Sequence, residues 1–183
     1  DCGSGSKRGL CCYQYNKEGE SWRALVFPLI MTLQKLSSHL ALLIPQQSDT
    51  GEKQSRDMRY LQAAAPDSWR QLYNDRESLL SLSNPEYCGK WVVLKRLLRF
   101  WHGNGDKVLV FSHSVRLLKI LRHLFNNTSY SASYLDGSLT YEERQKTVDD
   151  FNSDSNQFVF LISTKAGGVG LNITSANKVV IMD

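Results

Sequence analysis

Four strand-like segments punctuate the second half of the chain: the apolar runs "KVLVFSH" (107–113), "QFVFLIST" (157–164) and "KVVIMD" (178–183), and a shorter strand ending in a turn, "SYSASYLDG" (129–137). The segments between them carry helical patterning. Strand and helix in strict alternation demand a parallel sheet with right-handed crossovers and helices on both faces. The expected fold class is therefore α/β. In such sheets ligands bind beyond the carboxyl ends of the strands. The tips are Ser112 and His113, Asp136 to Ser138, Ser163 to Gly170, and Asp183.

Between the runs, "KWVVLKRLLRFWHGNG" reads as a helix ended by Gly103 and Gly105. In "SVRLLKILRHLFNN" Leu117, Leu121 and Leu124 share one helical face. "TYEERQKTVDDFN" opens with Thr140 and has Glu143 three residues later, a capping box. "GGVGLNI" is expected to open a short helix. Upstream, three regions precede this pattern. Residues 1–20 are irregular and rich in Cys and Gly. Residues 21–84 read as a helical linker, and the regular domain spans 85–183. Within the linker, Leu29, Leu33, Leu36, Leu40 and Leu43 recur at helical spacing. They predict a buried amphipathic helix over 21–45, with Pro28 in its first turn and Pro45 just past its end. Residues 46–65 read as an exposed, mobile insertion. Pro66 and Asp67 begin a second helix that runs to Leu82.

The net charge of +4 permits a nucleic-acid partner and equally suits a mildly basic surface. No run approaches the roughly 18 apolar residues of a membrane span. Cys2, Cys11, Cys12 and Cys88 form no C-x-x-C pair, so free thiols are expected and not a zinc site. The chain begins with Asp and stops at a strand tip, which reads as a fragment.

The tips differ in what they offer. In "STKAGGVGLN" the glycines let backbone amides approach an anion, Thr164 adds a hydroxyl donor, and Lys165 adds charge. The segment is neither a P-loop nor a dinucleotide fingerprint, and alone it is as often a tight structural turn. Ser138 and Thr140 cap helices more often than they bind phosphate. Arg144 by itself reads as a solvated charge, as do Glu142, Glu143, Asp149 and Asp150. Ser112 and His113 are adjacent on a strand and point to opposite faces, which disfavours a catalytic dyad. His39, His102 and His123 read as structural or exposed. No catalytic residue and no metal site emerges.

Taken in order, "KVLVFSH", "YLDGSLTYEERQKTVDDFN" and "FLISTKAGGVGLNITSANKVVIMD" resemble the second RecA-like lobe of SNF2-family DNA-dependent ATPases of helicase superfamily two. The wording is similar to the Cockayne syndrome group B–like repair branch. The resemblance covers 85–183 in detail and extends loosely to "LQKLSSHLALL", where the family's usual Cys-Asn-His-Pro wording is replaced. It implies an incomplete second helicase lobe, truncated before its arginine-bearing last motif, with the first lobe in cis. It implies ATP and Mg2+ in the full-length protein, none held tightly by this segment, and no ATP hydrolysis by this segment alone. It implies double-stranded DNA as partner, with nucleosomes or repair proteins beyond it, no membrane, and a nuclear location. Gly168, Gly170 and Asn172 would face the nucleotide. Ser112, His113, Ser138, Arg144, Thr164, Lys165 and Gly167 would face DNA. The family often has glutamine where His113 stands. The alternative is a catalytically dead DNA- or protein-binding remnant.

Overall fold

The computed structural model describes Tyr15, Gly19, residues 21–167 and residues 170–183. Cys2, Cys11, Cys12 and Gly168 lie outside the described residues. The helices are α1 (Trp22–Ser38), α2 (Gly51–Ala64), α3 (Trp69–Asn74), α4 (Leu79–Leu82), α5 (Gly89–Gly103), α6 (Val115–Asn126), α7 (Tyr141–Ser153) and α8 (Thr164–Gly167). The strands are β1 (Val108–Ser112), β2 (Ser131–Leu135), β3 (Gln157–Ser163) and β4 (Lys178–Ile181). All pair in parallel, in the order β2-β3-β1-β4.

Strand alternation sorts the core into two faces. Val108 and Val110 of β1 and Val159 and Leu161 of β3 pack with α5 and α6. Phe160 and Ile162 turn the other way and meet Val148 and Phe151 of α7. That second face thins toward β4, where Val179 is exposed and Ile181 is 70% exposed. These side chains leave apolar surface open on β4.

Local chemistry sets the helix ends. Ser114 Oγ accepts the Leu117 amide at 3.2 Å and opens α6. The capping box on α7 is present: Thr140 Oγ1 accepts from Glu143 N at 3.3 Å, and Glu143 Oε2 accepts from Thr140 N at 2.8 Å. Those bonds hold the Glu143 carboxyl below its ordinary pKa. Gly105, with φ +73, turns the chain out of α5 into β1. On α6, Leu117, Leu118, Ile120, Leu121, Leu124 and Phe125 are all buried. Each such side chain contributes about 1.5–3 kcal/mol on leaving water.

The linker departs from expectation in four places. First, α1 is capped by Ser21 and starts at Trp22, so Pro28 lies inside the helix instead of in its first turn. Its ring nitrogen has no hydrogen to offer the preceding turn. Second, Leu29, Leu33 and Leu36 are exposed, with Leu33 at 62%, because no described element packs over that side of α1. The helix ends at Ser38, and Leu40–Leu43 continue as a separate 3₁₀ turn with Leu43 buried. Third, the expected mobile insertion contains α2, capped by Thr50, with Asp57 and Leu61 buried. Asp57 anchors it, 3.3 Å from Lys35 Nζ and 3.5 Å from Arg56 Nε. Fourth, the expected second helix is broken into α3 and α4 between Asp75 and Ser78. The Ser78 hydroxyl accepts the Ser81 amide and restarts the helix there.

Candidate nucleic-acid and nucleotide face at the strand tips

At the β1 tip the chain leaves the sheet through Ser112 and His113. Ser112 is fully buried, and its Oγ donates to Asp183 Oδ1 at 2.8 Å. The His113 amide donates to the same carboxylate at 3.0 Å, and its Nδ1 lies 3.6 Å from Asp183 Oδ2. Ser112 Oγ also accepts the Ser114 amide at 3.0 Å. Asp183 thus fastens the β1 turn to the end of β4. Serine gives its proton to the aspartate and not to histidine, so no nucleophile is activated here. His113 is exposed and stands over the tip, whereas the Ser112 side chain is turned inward.

At the β2 tip Asp136 is buried and gathers three donors. Tyr134 Oη donates at 2.6 Å, Ser138 N at 2.9 Å and Ser138 Oγ at 2.5 Å. Burial alone would raise the Asp136 pKa, but these bonds and the Lys119 charge outweigh it and hold the pKa low. Burial, then the bond and charge of Asp136, push the Tyr134 phenol up. Arg144 leans back over this loop, donating Nε to Leu139 O at 2.9 Å and Nη2 to Gly137 O at 3.3 Å. It braces the turn that presents Ser138, so it is more than a solvated charge.

At the β3 tip the chain enters α8 directly. Thr164 and Lys165 are exposed, and Ala166 is buried beneath them. The short helix therefore begins before the glycines, where "GGVGLNI" was expected to begin it. Gly170 has φ +58 and open space beside its Cα. Its glycine is required by the backbone angle and not by crowding.

Asn172 goes elsewhere. Its carbonyl accepts Asn152 Nδ2 at 2.9 Å, near the end of α7. Asn152 Oδ1 in turn accepts the amides of Thr174 and Ser175 at 3.1 and 3.2 Å. The neighbouring carbonyls of Phe151 and Asp154 accept Lys107 Nζ, just before β1 begins. The end of α7 thus lies at the amino edge of the sheet, and Asn172 is held on that side, away from the tips. This clamp also keeps residues 171–177 out of helix. Nothing in the sequence around Asn152 marks it, because its partners lie 20 or more residues on.

Two hollows flank the β1 tip. One, of about 260 Å³, is lined by Lys35, Asp49, Lys53, Arg116 and Asp183 among others. The other, of about 770 Å³, is lined by Arg76, Glu77, Ser114, Arg116 and Lys119. His113 borders both. Arg116 is half-buried between them and donates to Ile44 O at 3.2 Å. Among the described residues no group of three or more His, Cys, Asp or Glu side chains is arranged to hold a metal ion.

The linker is bolted to this edge. Lys90 Nζ donates to Ser38 Oγ at 3.2 Å and to the Met182 carbonyl at 3.0 Å. Cys88 Sγ donates to Ser38 O at 3.1 Å. His39, fully buried, accepts the Ala41 amide on Nδ1 at 3.1 Å and meets Tyr87 edge to face. Burial, with the Arg116 charge second, pushes its pKa down to about 4. The Lys90 and Cys88 links join segments far apart in sequence and have no local signature.

Comparison with known proteins follows the same outline. Residues 89–183 match the "Helicase conserved C-terminal domain" family. The chain is 40% identical to "Switch 2" of Arabidopsis thaliana over 199 residues, covering all of this chain and 23% of that protein. It is 38% identical to "DNA excision repair protein ERCC-6-like 2" of Mus musculus, again over its whole length but over 12% of the relative. The chain thus spans less than a quarter of either relative. Its fold resembles the C-terminal part of the Fun30 ATPase domain, with TM-score 0.61, 27% identity, 91% of this chain and 65% of that one. It also resembles the C-terminal domain of the Sulfolobus solfataricus SWI2/SNF2 ATPase, with TM-score 0.52, 25% identity, 86% of this chain and 67% of that one. With four parallel strands, tip motifs in order and matches over its whole length, the chain belongs to the helicase C-terminal domain family as a second RecA-like lobe of the SNF2 branch of superfamily two.

Proposed function

We propose that this lobe is half of an ATP-driven translocase on double-stranded DNA, acting in the nucleus in DNA repair or chromatin remodelling. One observation carries the reading: parallel strands deliver exposed His113, exposed Ser138 braced by Arg144, and exposed Thr164 and Lys165 to a single edge. Lys165 supplies charge, Thr164 supplies a hydroxyl donor, and amides around Gly167 approach the phosphate backbone, while Ser138, whose hydroxyl and amide both donate to Asp136, shapes the neighbouring turn. Ser112 acts from behind, holding the turn through Asp183. Gly168 and Gly170 would serve a nucleotide cleft that a first lobe completes. Asn172 keeps the return of that loop in place through Asn152. ATP with Mg2+, when bound in the cleft, supplies the free energy for opening and closing. This chain's described residues contribute anchoring and phosphate contacts to that cycle, not a metal cluster.

The test uses a longer protein carrying both lobes. Duplex DNA is expected to stimulate its ATP turnover, and Lys165→Ala to raise the DNA concentration needed for half-stimulation. ATP turnover that ignores duplex DNA altogether would overturn the reading.

A further inference from the structure

Helix α5 carries a second surface that the strand-tip face does not use. Between Glu86 and Asp106 the sequence has Lys90, Lys95, Arg96 and Arg99 and no carboxylate. Lys90 is spent on Ser38 and Met182. Lys95, Arg96 and Arg99 are exposed and make no ion pair among the described residues. At 3.6 residues per turn, Trp91, Leu94 and Leu98 share the inward side, and all three are buried. Lys95, Arg99 and Arg96 then form one outward stripe with Val92 among them. Val93, Leu97 and Phe100 form the neighbouring stripe, and all are exposed, Val93 at 59% and Phe100 at 66%. A hollow of about 370 Å³ opens along the cationic stripe, bounded by Pro85, Trp91 and Val92 and rimmed by Lys95, Arg96 and Arg99.

A cationic stripe beside an apolar one selects its partner. A phosphate backbone would satisfy the cations but offers nothing to Val93, Leu97 and Phe100. A purely apolar partner would leave three unpaired cations at the contact. We infer that α5 is the docking face for an acidic amphipathic helix of another polypeptide. Its carboxylates would lie over Lys95, Arg96 and Arg99, and its leucine-like side chains over Val93, Leu97 and Phe100. The surface lies on the outer side of the helix, so occupation leaves the strand tips open.

The probe is a labelled 16-residue helical peptide with leucine at i, i+3, i+4 and i+7 and glutamate on its flanks. Fluorescence anisotropy reads its binding to the 183-residue chain. Binding is expected for this peptide and not for its lysine-for-glutamate counterpart. The triple variant Lys95→Glu, Arg96→Glu, Arg99→Glu should weaken it by at least about tenfold, because attraction becomes repulsion at three positions. Phe100→Ser should weaken it several-fold with the charges intact. Glutamine at the three cation positions is a gentler second variant, and circular dichroism checks that both sets retain their helix content. Failure of the acidic peptide to bind, or equal binding by the triple variant, overturns the proposal. So does a result in which the α5 variants leave the peptide unaffected but weaken a short duplex DNA, which would make this a nucleic-acid face.

Discussion

Helices α1 and α6 share leucines at helical spacing, although α6 divides apolar from charged sides far more sharply, and the two meet opposite fates. Both repeat leucine at helical spacing, and both are opened by a serine. On α6 the apolar stripe is fully buried against the sheet. On α1 Leu29, Leu33 and Leu36 stay exposed, and only Ser38 is buried. The contrast separates two things that periodicity merges. A 3.6-residue repeat reports the shape of a helix and the side that could be buried. It does not report whether a partner is there. For α6 the partner is the sheet between the strands it connects. For α1 the neighbours are the 3₁₀ turn, the start of α5 and Asp57 of α2, which reach only its last turn.

The sharpest way to break the comparison is to truncate one leucine on each helix. Leu121→Ala should cost about 2–5 kcal/mol, because a fully buried side chain leaves a cavity. Leu33→Ala should fall within about 0.5 kcal/mol of the parent. Urea denaturation of the two variants measures both. Equal costs would mean that α1 is packed in solution and that its exposure here does not describe it.

A pH titration sharpens the point at the foot of α1. His39 is held neutral, with its pKa lowered to about 4. The unfolded chain protonates near pH 6.5, so below that value it binds more protons than the folded one. Stability is therefore greatest above pH 6.5, falls as pH drops toward 4, and levels off below. The loss attributable to His39 is on the order of 3 kcal/mol. His39→Gln should remove that part of the slope between pH 6.5 and 4. An unchanged slope would show that the imidazole is not desolvated.

Most of the lobe was legible because its signals are local. Apolar runs named three of the strands, Thr140 and Glu143 named a cap, and Gly103 with Gly105 named a helix end. The tip positions followed from parallel topology. What escaped notice depends on distance. Asp183 fastening Ser112 and His113, Lys90 joining Ser38 to Met182, and Asn152 holding residues 172–175 all tie segments remote in sequence. The placement of Asn172 at the amino edge was missed for that reason. The linker was harder still. A polar stretch such as "GEKQSRDMRYLQAA" reads as loop from composition, yet its residues are good helix formers and Asp57 is anchored by Lys35.

Smaller effects follow at one glycine and two cap positions. Gly170→Val should destabilise by about 1–2 kcal/mol through its left-handed backbone, with no steric clash to relieve. Thermal denaturation reads it, and a neutral result would mean that this loop adopts another angle in solution. Ser114→Ala should cost about 1 kcal/mol as the α6 cap. Ser21→Ala should cost less, since its bond to Arg23 N is 3.4 Å and α1 is exposed. Reversal of that order would contradict the contrast between the two helices.

The most direct test of the central claim is the salt dependence of duplex DNA binding by this chain and by its Lys165→Ala variant. If Lys165 neutralises a phosphate, the logarithmic slope should be shallower in the variant by about 0.9, one counterion's worth. An identical slope in the two proteins would contradict the assignment of the β3 tip to the DNA backbone.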